Sequence, residues 1–503
     1  MSKKNVTRPF GAKDKVGYMF GDFGCNMSFQ LISSYIMLFM TQGMGLSLGS
    51  WAIIVMIAKI FDAINDPIIG ALVDARNPGK YGKFKPWIFC GSFAIAITTV
   101  LLFVDIRAFS YAGRFAYCLI MYMVWSVAYT AANVPYGSLN AALTDDAGQR
   151  ASLSSLRSIG AGLAMLPIMV IIPLLAYDDN DALKPDVFVW IAVVCGIVGI
   201  IGFMLTIFMT KERMVQPAAQ KKFNYAKTIS SFFKNRAILA LCVASFAQLV
   251  FILSYAVTLP LVFQFYFGNT KLISMAQVLV MLPMMVFIPV MSKISVKYGK
   301  KEICSWPNLV GVVVLLIMLF IPFPRTSTGG WIYMALFMLA MLGGGTFTLA
   351  TWSMVADCVD AQEVQSGERE EASVYATYSL ARKVAQGVGA SIVALILGAV
   401  GYATEGMTSE EIVTHNSVEA VAHGILNVSI ILPLIGFVLV FLVMLFMYNL
   451  PRKKVESNTI YLRDKRAQEL IDTSATRLFY DEDVPSEPSI DCADETAVDD
   501  VNI

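Results

Sequence analysis

Apolar residues run through this chain in long unbroken blocks. Twelve blocks approach or exceed the length of a membrane-spanning helix, at 17–42, 50–73, 87–104, 114–142, 153–176, 187–209, 237–266, 273–295, 303–323, 331–356, 373–401 and 424–449. A helix needs about 20 mainly apolar residues to cross a bilayer. Lipid offers the backbone no hydrogen-bond partners, so such blocks fold as helices or as a closed barrel. The blocks do not alternate strictly between apolar and polar positions, which excludes a barrel. The pattern predicts an all-α membrane protein of twelve transmembrane helices.

The polar positions between the blocks predict orientation. Basic residues collect in alternate short loops, which marks the cytoplasmic side. Lys3, Lys4, Arg8, Lys13 and Lys15 precede the first block, and Arg76, Lys80, Lys83 and Lys85 follow the second. Seven more, from Lys211 to Arg236, join the sixth block to the seventh, and Lys293, Lys297, Lys300 and Lys301 follow the eighth. The other loops are poor in lysine and arginine, and one of them, Tyr177-Asp178-Asp179-Asn180-Asp181, is acidic. Both termini are expected in the cytoplasm and the chain in a plasma membrane, the bacterial inner membrane.

The basic connection divides the chain into a six-helix bundle over 1–210, a connecting loop over 211–236, a second six-helix bundle over 237–450 and an acidic tail over 451–503. Within the tail, 460–480 has the pattern of a short amphipathic helix, and the remainder is too polar to bury a core and reads as disordered. A weak internal repeat supports the division. Tyr81-Gly82-Lys83 after the second block matches Tyr298-Gly299-Lys300 after the eighth, and Gly148-Gln149-Arg150 after the fourth matches Gly367-Glu368-Arg369 after the tenth. Two halves related in this way are a transporter architecture, with substrate held near the midplane between them.

Composition agrees with the pattern. Of 503 residues 57% are hydrophobic and 15% charged, against about 25% charged in average soluble domains. The net charge of +1 suggests no nucleic-acid partner. The first residues are polar and basic, and the apolar block after them is too long for a cleavable signal. The eight cysteines show no metal-ligand spacing and read as small buried hydrophobes. No phosphate loop, nucleophile elbow or metal cluster suggests an enzyme, and no cofactor is expected.

Candidate chemistry lies where charge interrupts apolar blocks. A charge at the bilayer centre costs at least about 2.5–3.5 kcal/mol and persists there when it pairs, faces water or binds something. In the second block Lys59, Asp62 and Asp66 are spaced by three and four, so they share one helix face, with Asn65 on its edge and Pro67 just beyond. Two carboxylates and an amide form an oxygen set suited to a hard cation such as Na⁺. A carboxyl held protonated by desolvation and a like-charged neighbour would carry H⁺ instead. A bare Lys59–Asp62 ion pair would leave Asp66 unexplained. In the eleventh block Lys383 either neutralises these carboxylates across the two halves or donates to substrate, and Arg382 is a coupling or structural charge. Asp22 either accepts from substrate hydroxyls or only pairs with Arg157. The fourth block supplies Tyr129, Thr130, Asn133 and Tyr136. Trp352 in the tenth either stacks on a sugar ring or simply packs.

Lys59-Ile60-Phe61-Asp62-Ala63-Ile64-Asn65-Asp66-Pro67-Ile68-Ile69-Gly70, followed by Gly82-Lys83-Phe84-Lys85-Pro86-Trp87, closely resembles the signature of the glycoside–pentoside–hexuronide:cation symporters, the branch of the major facilitator superfamily that contains the melibiose permease. Gly21-Asp22, Val134-Pro135-Tyr136, Ala356-Asp357-Cys358-Val359-Asp360 and Lys383 ahead of Gly401-Tyr402 add to the likeness, which covers about residues 10–450. The resemblance implies a major facilitator fold and symport of a sugar or glycoside with Na⁺ or H⁺ by alternating access, in a protein expected to be monomeric. It implies Asp62, Asn65, Asp66 and Thr130, together with Asn133, at cation-site positions, and Asp22, Tyr129, Arg157, Trp352 and Lys383 at sugar-site or coupling positions. The chain departs from the melibiose permease at Asn133, where that protein has a carboxylate, and at Gly137, where it has tryptophan. The missing carboxylate lowers the charge of both sites and leaves the ion and the sugar open. A non-sugar or lipid-like substrate is the alternative cargo, and a non-transporting membrane sensor the alternative class.

Overall fold

The computed structural model describes residues 8–79, 81–144, 146–213, 235–367 and 371–465, with Gln468. Twelve long helices form among them: α1 Ala12–Leu38, α2 Leu48–Ala75, α3 Lys85–Leu102, α4 Tyr111–Leu143, α5 Ala147–Ala176, α6 Pro185–Met209, α7 Arg236–Leu261, α8 Leu272–Tyr298, α9 Lys300–Phe320, α10 Ser327–Ser366, α11 Glu371–Ala399 and, after a short α12 Ser409–Asn416, α13 Glu419–Leu442. A last helix, α14, occupies 452–465. Ten of the long helices are long and apolar enough to cross a membrane. The other two are α2, whose 28 residues include the charged face, and α8, whose apolar part is Leu272–Phe287.

The apolar blocks locate the helices, and polar caps set their ends. Ser47, Ser110, Asp146, Asn235 and Thr326 each accept a backbone N–H of the first turn of the helix they precede, satisfying donors that have no partner inside the helix. α10 runs ten residues past the expected end at 356 because its last turns, bearing Asp357, Asp360 and Glu363, are polar and leave the apolar layer. The short α12 was not signalled by hydrophobicity; Thr408 and Glu411 cap it reciprocally. The tail helix begins at 452, before the predicted 460, and the acidic stretch expected to be disordered lies outside the described residues, as do 214–234 of the connection and Glu368-Arg369 of the repeat. Six of the seven described cysteines are buried and Cys90 is exposed.

The two halves repeat one packing scheme. In the first half α1 packs on α5 and α6, α3 on α4 and α6, and α2 on α4; in the second α7 packs on α11 and α13, α9 on α10 and α13, and α8 on α10. Between the halves α2 meets α11 and α5 meets α8, the exchange a two-fold relation requires. The matched loop motifs share backbone geometry. Gly82 has φ 92° and Gly299 φ 94°, left-handed conformations that a Cβ disfavours. At Gly82 the turn brings Glu212 onto three consecutive amides, Lys83, Phe84 and Lys85 N, at 2.7, 3.1 and 3.1 Å, an anionic cap on the N-terminus of α3.

Candidate functional site

The charged face of α2 lies between α4 of its own half and α11 of the other. Ser126 Oγ donates to Asp62 Oδ1 at 2.5 Å and Thr130 Oγ1 to Asp66 Oδ1 at 2.8 Å. Both pairs are separated by 64 in sequence, so α2 and α4 run in the same direction and present two matching rungs of one carboxylate and one hydroxyl.

From α11, Lys383 Nζ pairs directly with Asp66 Oδ2 and lies 3.5 Å from Asp62 Oδ2. Lys59 Nζ is 3.9 Å from Asp62 on the same helix. Two lysines therefore face two carboxylates, and the group is neutral. All four side chains keep some solvent contact, from 16% at Asp62 to 32% at Asp66.

Lys383, Gly387 and Ser391 form an i, i+4, i+8 stripe on α11. Ser391 Oγ donates to Ala52 O at 2.8 Å, and a Cβ added at Gly387 would lie 2.9 Å from Lys59 Cβ. Small residues bring the two helix backbones close enough for Lys383 to reach across.

A second cluster lies inside the first half. Arg157 Nε donates to Asp22 Oδ1 at 2.8 Å, and Asn26 Nδ2 reaches Asp22 Oδ2 at 2.9 Å. Arg157 also reaches Asn133 Oδ1 at 3.4 Å, Cys25 Sγ donates to the same oxygen at 3.7 Å, and the guanidinium lies 5.3 Å from the Tyr136 ring centre. Tyr129 stacks on Trp125 at 5.3 Å, continuing an aromatic column from Trp51 through Tyr122. A third group lies in the second half, where Arg382 covers the rings of Trp352 and Tyr378.

The structure thus brings Asp62, Asp66, Thr130, Lys59 and Lys383 together. It does not bring Asn133 to them: Asn133, expected with the cation set, shares the face of α4 that carries Ser126 and Thr130 but lies three residues beyond Thr130, where Arg157 of α5 reaches its amide oxygen at 3.4 Å and holds it in the Asp22 cluster. Asn65 is buried beside the carboxylates, but its amide nitrogen makes no hydrogen bond among the described residues. Lys383 takes the neutralising position of its two alternatives, and Asp22 pairs with Arg157. Ser126 was missed. Its spacing of four before Thr130, equal to that of Asp62 and Asp66, was the available signal. Among the described residues no three His, Cys, Asp or Glu side chains converge as a metal site.

A membrane-embedded bundle of two repeated halves, with a polar cluster clasped between them, defines a multi-pass membrane transporter of the major facilitator fold. The chain belongs to the MFS/sugar transport protein family, whose model matches residues 17–452. It is 28% identical over 444 residues to an uncharacterized symporter of Bacillus subtilis (strain 168), covering 87% of this chain and 92% of that one. It is 26% identical over 464 residues to the glucuronide carrier protein homolog of Escherichia coli (strain K12), covering 91% and 97%, and 26% identical over 408 residues to a putative glycoside/cation symporter of the same organism, covering 80% and 86%. Among solved structures it resembles a D-xylose-proton symporter, with a TM-score of 0.59 at 14% identity, covering 88% of this chain and 98% of that one. These likenesses bear out the symporter resemblance read from α2.

Proposed function

We propose that the protein is a cation-coupled symporter of a sugar or glycoside, and that Asp62 and Asp66 with Ser126 and Thr130 hold the coupling ion. The observation that carries this reading is the position of Lys383. Its amine occupies the mouth of a two-carboxylate, two-hydroxyl oxygen set and acts as a tethered cation. A Na⁺ ion would displace it, and a proton on Asp66 would release it. Either event loosens the contact between α2 and α11, which belong to opposite halves, so ion binding bears directly on the relative position of the halves.

Asp22, Arg157, Asn133 and Tyr129 form the first-half wall of the sugar site, and Trp352 the facing wall. The paired carboxylate and guanidinium offer acceptors and donors to neighbouring hydroxyls. All twelve long helices cross the bilayer, with both termini on the cytoplasmic side of a bacterial inner membrane. The protein carries its cargo unchanged, and its coupling ion is Na⁺ or H⁺.

Uptake into vesicles made from the full chain tests the reading. A Na⁺ gradient or a pH gradient imposed separately should drive accumulation of a glycoside above its outside concentration. Uptake that only equilibrates under both gradients would exclude symport.

A further inference from the structure

The outer surface of the first half carries an apolar groove that plays no part in the ion and cargo sites. It lies between α3 and α6, with a volume of about 290 Å³, and is walled by Ile97, Val100 and Leu101 of α3 and by Val193, Ile197 and Ile200 of α6. Small residues form its floor. A Cβ added at Gly196 would lie 3.2 Å from Ala96 Cβ, so the two backbones cross closely and the longer side chains on either flank stand up as walls. Ile97 and Ile197 are 59% and 55% exposed, so the groove faces lipid. No polar side chain lines it, and a hydroxylated cargo would find no partner there. Left unfilled, its walls would forfeit their dispersion contacts; an acyl chain supplies them.

Polar chemistry begins where the groove ends. Asp186, Trp190, Val193, Ile197 and Ile200 are spaced by four, three, four and three along α6, so they share one face. Trp190, about one turn outside the groove, is 70% exposed. On the α3 side Tyr117 Oη donates to Leu101 O at 2.9 Å. Amphipathic rings of this kind sit at the level of lipid headgroups.

A charge cluster stands beyond them. Arg107, in the loop after α3, donates to Asp105 through Nε at 3.0 Å and Nη2 at 2.6 Å, and Nη2 also reaches Asp186 Oδ1 at 3.2 Å. Two carboxylates thus share one guanidinium. Asp105 takes most of it. Asp186 is held by that single bond with its side chain 80% exposed, and among the described residues no other cation pairs with it. Arg107 Nη1 has no partner among the described residues. The cluster therefore offers a free N–H to an anion and an under-neutralised carboxylate to a cation.

We infer that groove and cluster together form a site for one phospholipid with a phosphoethanolamine headgroup. The acyl chain lies between α3 and α6, Arg107 Nη1 donates to the phosphate, and the ammonium donates to Asp186. Phosphocholine presents methyl groups where the carboxylate needs N–H donors. Phosphoglycerol brings no cation to Asp186 and sets an anion beside it. Such a site is independent of which cargo and ion the protein moves.

Native mass spectrometry tests it, on the full chain in detergent titrated with matched dioleoyl lipids bearing phosphoethanolamine, phosphocholine or phosphoglycerol. The wild type should retain one phosphoethanolamine lipid about tenfold more tightly than either of the others, the scale of a charge-assisted hydrogen-bond pair. Asp186→Asn should bring phosphoethanolamine and phosphocholine together. Arg107→Gln should weaken both, since they share the phosphate. Ile197→Trp, which fills the groove without touching its floor, should lose the tight site for all three. The three side chains are exposed, so the variants should fold as the wild type does. Equal retention of the three lipids by the wild type, a preference for phosphocholine or phosphoglycerol, or a preference that survives both Asp186→Asn and Ile197→Trp would overturn the inference.

Discussion

Gln42 and Gln264 exchange side-chain amide hydrogen bonds at 3.1 and 3.2 Å across the two halves. Each residue sits in a π-helical turn that ends its helix, Phe39–Gly43 after α1 and Val262–Tyr266 after α7. The two turns are counterparts in the packing scheme. The remaining bonds also cross over: Gln42 donates to Tyr402 Oη at 3.0 Å, beyond α11, and Gln264 to Asp181 O at 2.9 Å, beyond α5. Asp181 holds φ 60° to make this contact, the one positive φ at a non-glycine among the described residues, and its carboxylate accepts from Thr270 N and Oγ1 at 2.9 and 2.6 Å. Both glutamines are buried, so this end of the molecule is latched shut.

Breaking the latch from one side should open that end. Gln42→Leu or Gln264→Leu leaves the facing amide buried and unsatisfied, at a cost of about 1–3 kcal/mol. With native cysteines replaced, a cysteine introduced at Leu46, which is fully buried behind the latch, should be alkylated about tenfold faster in either variant. The double substitution should fall short of the sum of the two, since the residues are coupled. Unchanged alkylation would show that the latch does not hold the end closed.

Close approach of α2 and α11 depends on Gly387. In Gly387→Val the side chain meets Lys59 Cβ, and relief requires α11 to move away, with overpacking costing about 1–3 kcal/mol. Transport should fall sharply while the protein still folds, with a thermal midpoint within a few degrees of wild type. Normal transport would mean that the interface tolerates a gap and that Lys383 needs no close contact.

Removal of Lys383 should make the protein dependent on its ion. Lys383→Gln leaves two carboxylates facing one lysine; breaking a fully buried pair costs about 3–5 kcal/mol, and this part-exposed group should lose less. A bound cation would recover much of that by mass action. Thermal melts of the variant should rise with NaCl but not with choline chloride if the ion is Na⁺, and with neither salt if it is H⁺. A melt that responds equally to both salts would indicate general screening and not a site.

The Glu212 cap should be structural. Glu212→Ala removes the acceptor of three amides, and Gly82→Ala would place a Cβ 2.5 Å from that carboxylate as well as straining φ. Each should lower the thermal midpoint, through the loss of about 1–3 kcal/mol of stability at orphaned amides, without altering ion dependence. A change in which ion drives uptake would contradict this assignment.

Hydrophobic blocks made the helices legible because lipid imposes one requirement on every crossing segment. Charges within those blocks were legible for the same reason: Asp62 and Asp66 stand out by their cost. Loop glycines carried the repeat because Gly82 and Gly299 adopt a backbone few other residues take. What stayed hidden depended on neighbours brought from elsewhere in the chain. Asn133 has the chemistry of a cation ligand, and only the approach of Arg157 from α5 takes it into the Asp22 cluster. Ser126 looked like an ordinary small residue until α4 was laid beside α2. Gln42 and Gln264, 222 residues apart, have no local signal of their pairing.

In the proposed function Asp66 couples ion to cargo. The most direct measurement compares, in vesicles of Asp66→Asn and wild type, gradient-driven accumulation of a glycoside with exchange of labelled for unlabelled glycoside at equal concentrations. The variant should lose accumulation and retain exchange, since the proposed role of the carboxylate is to bind the ion and not the sugar. Undiminished accumulation in Asp66→Asn would contradict it.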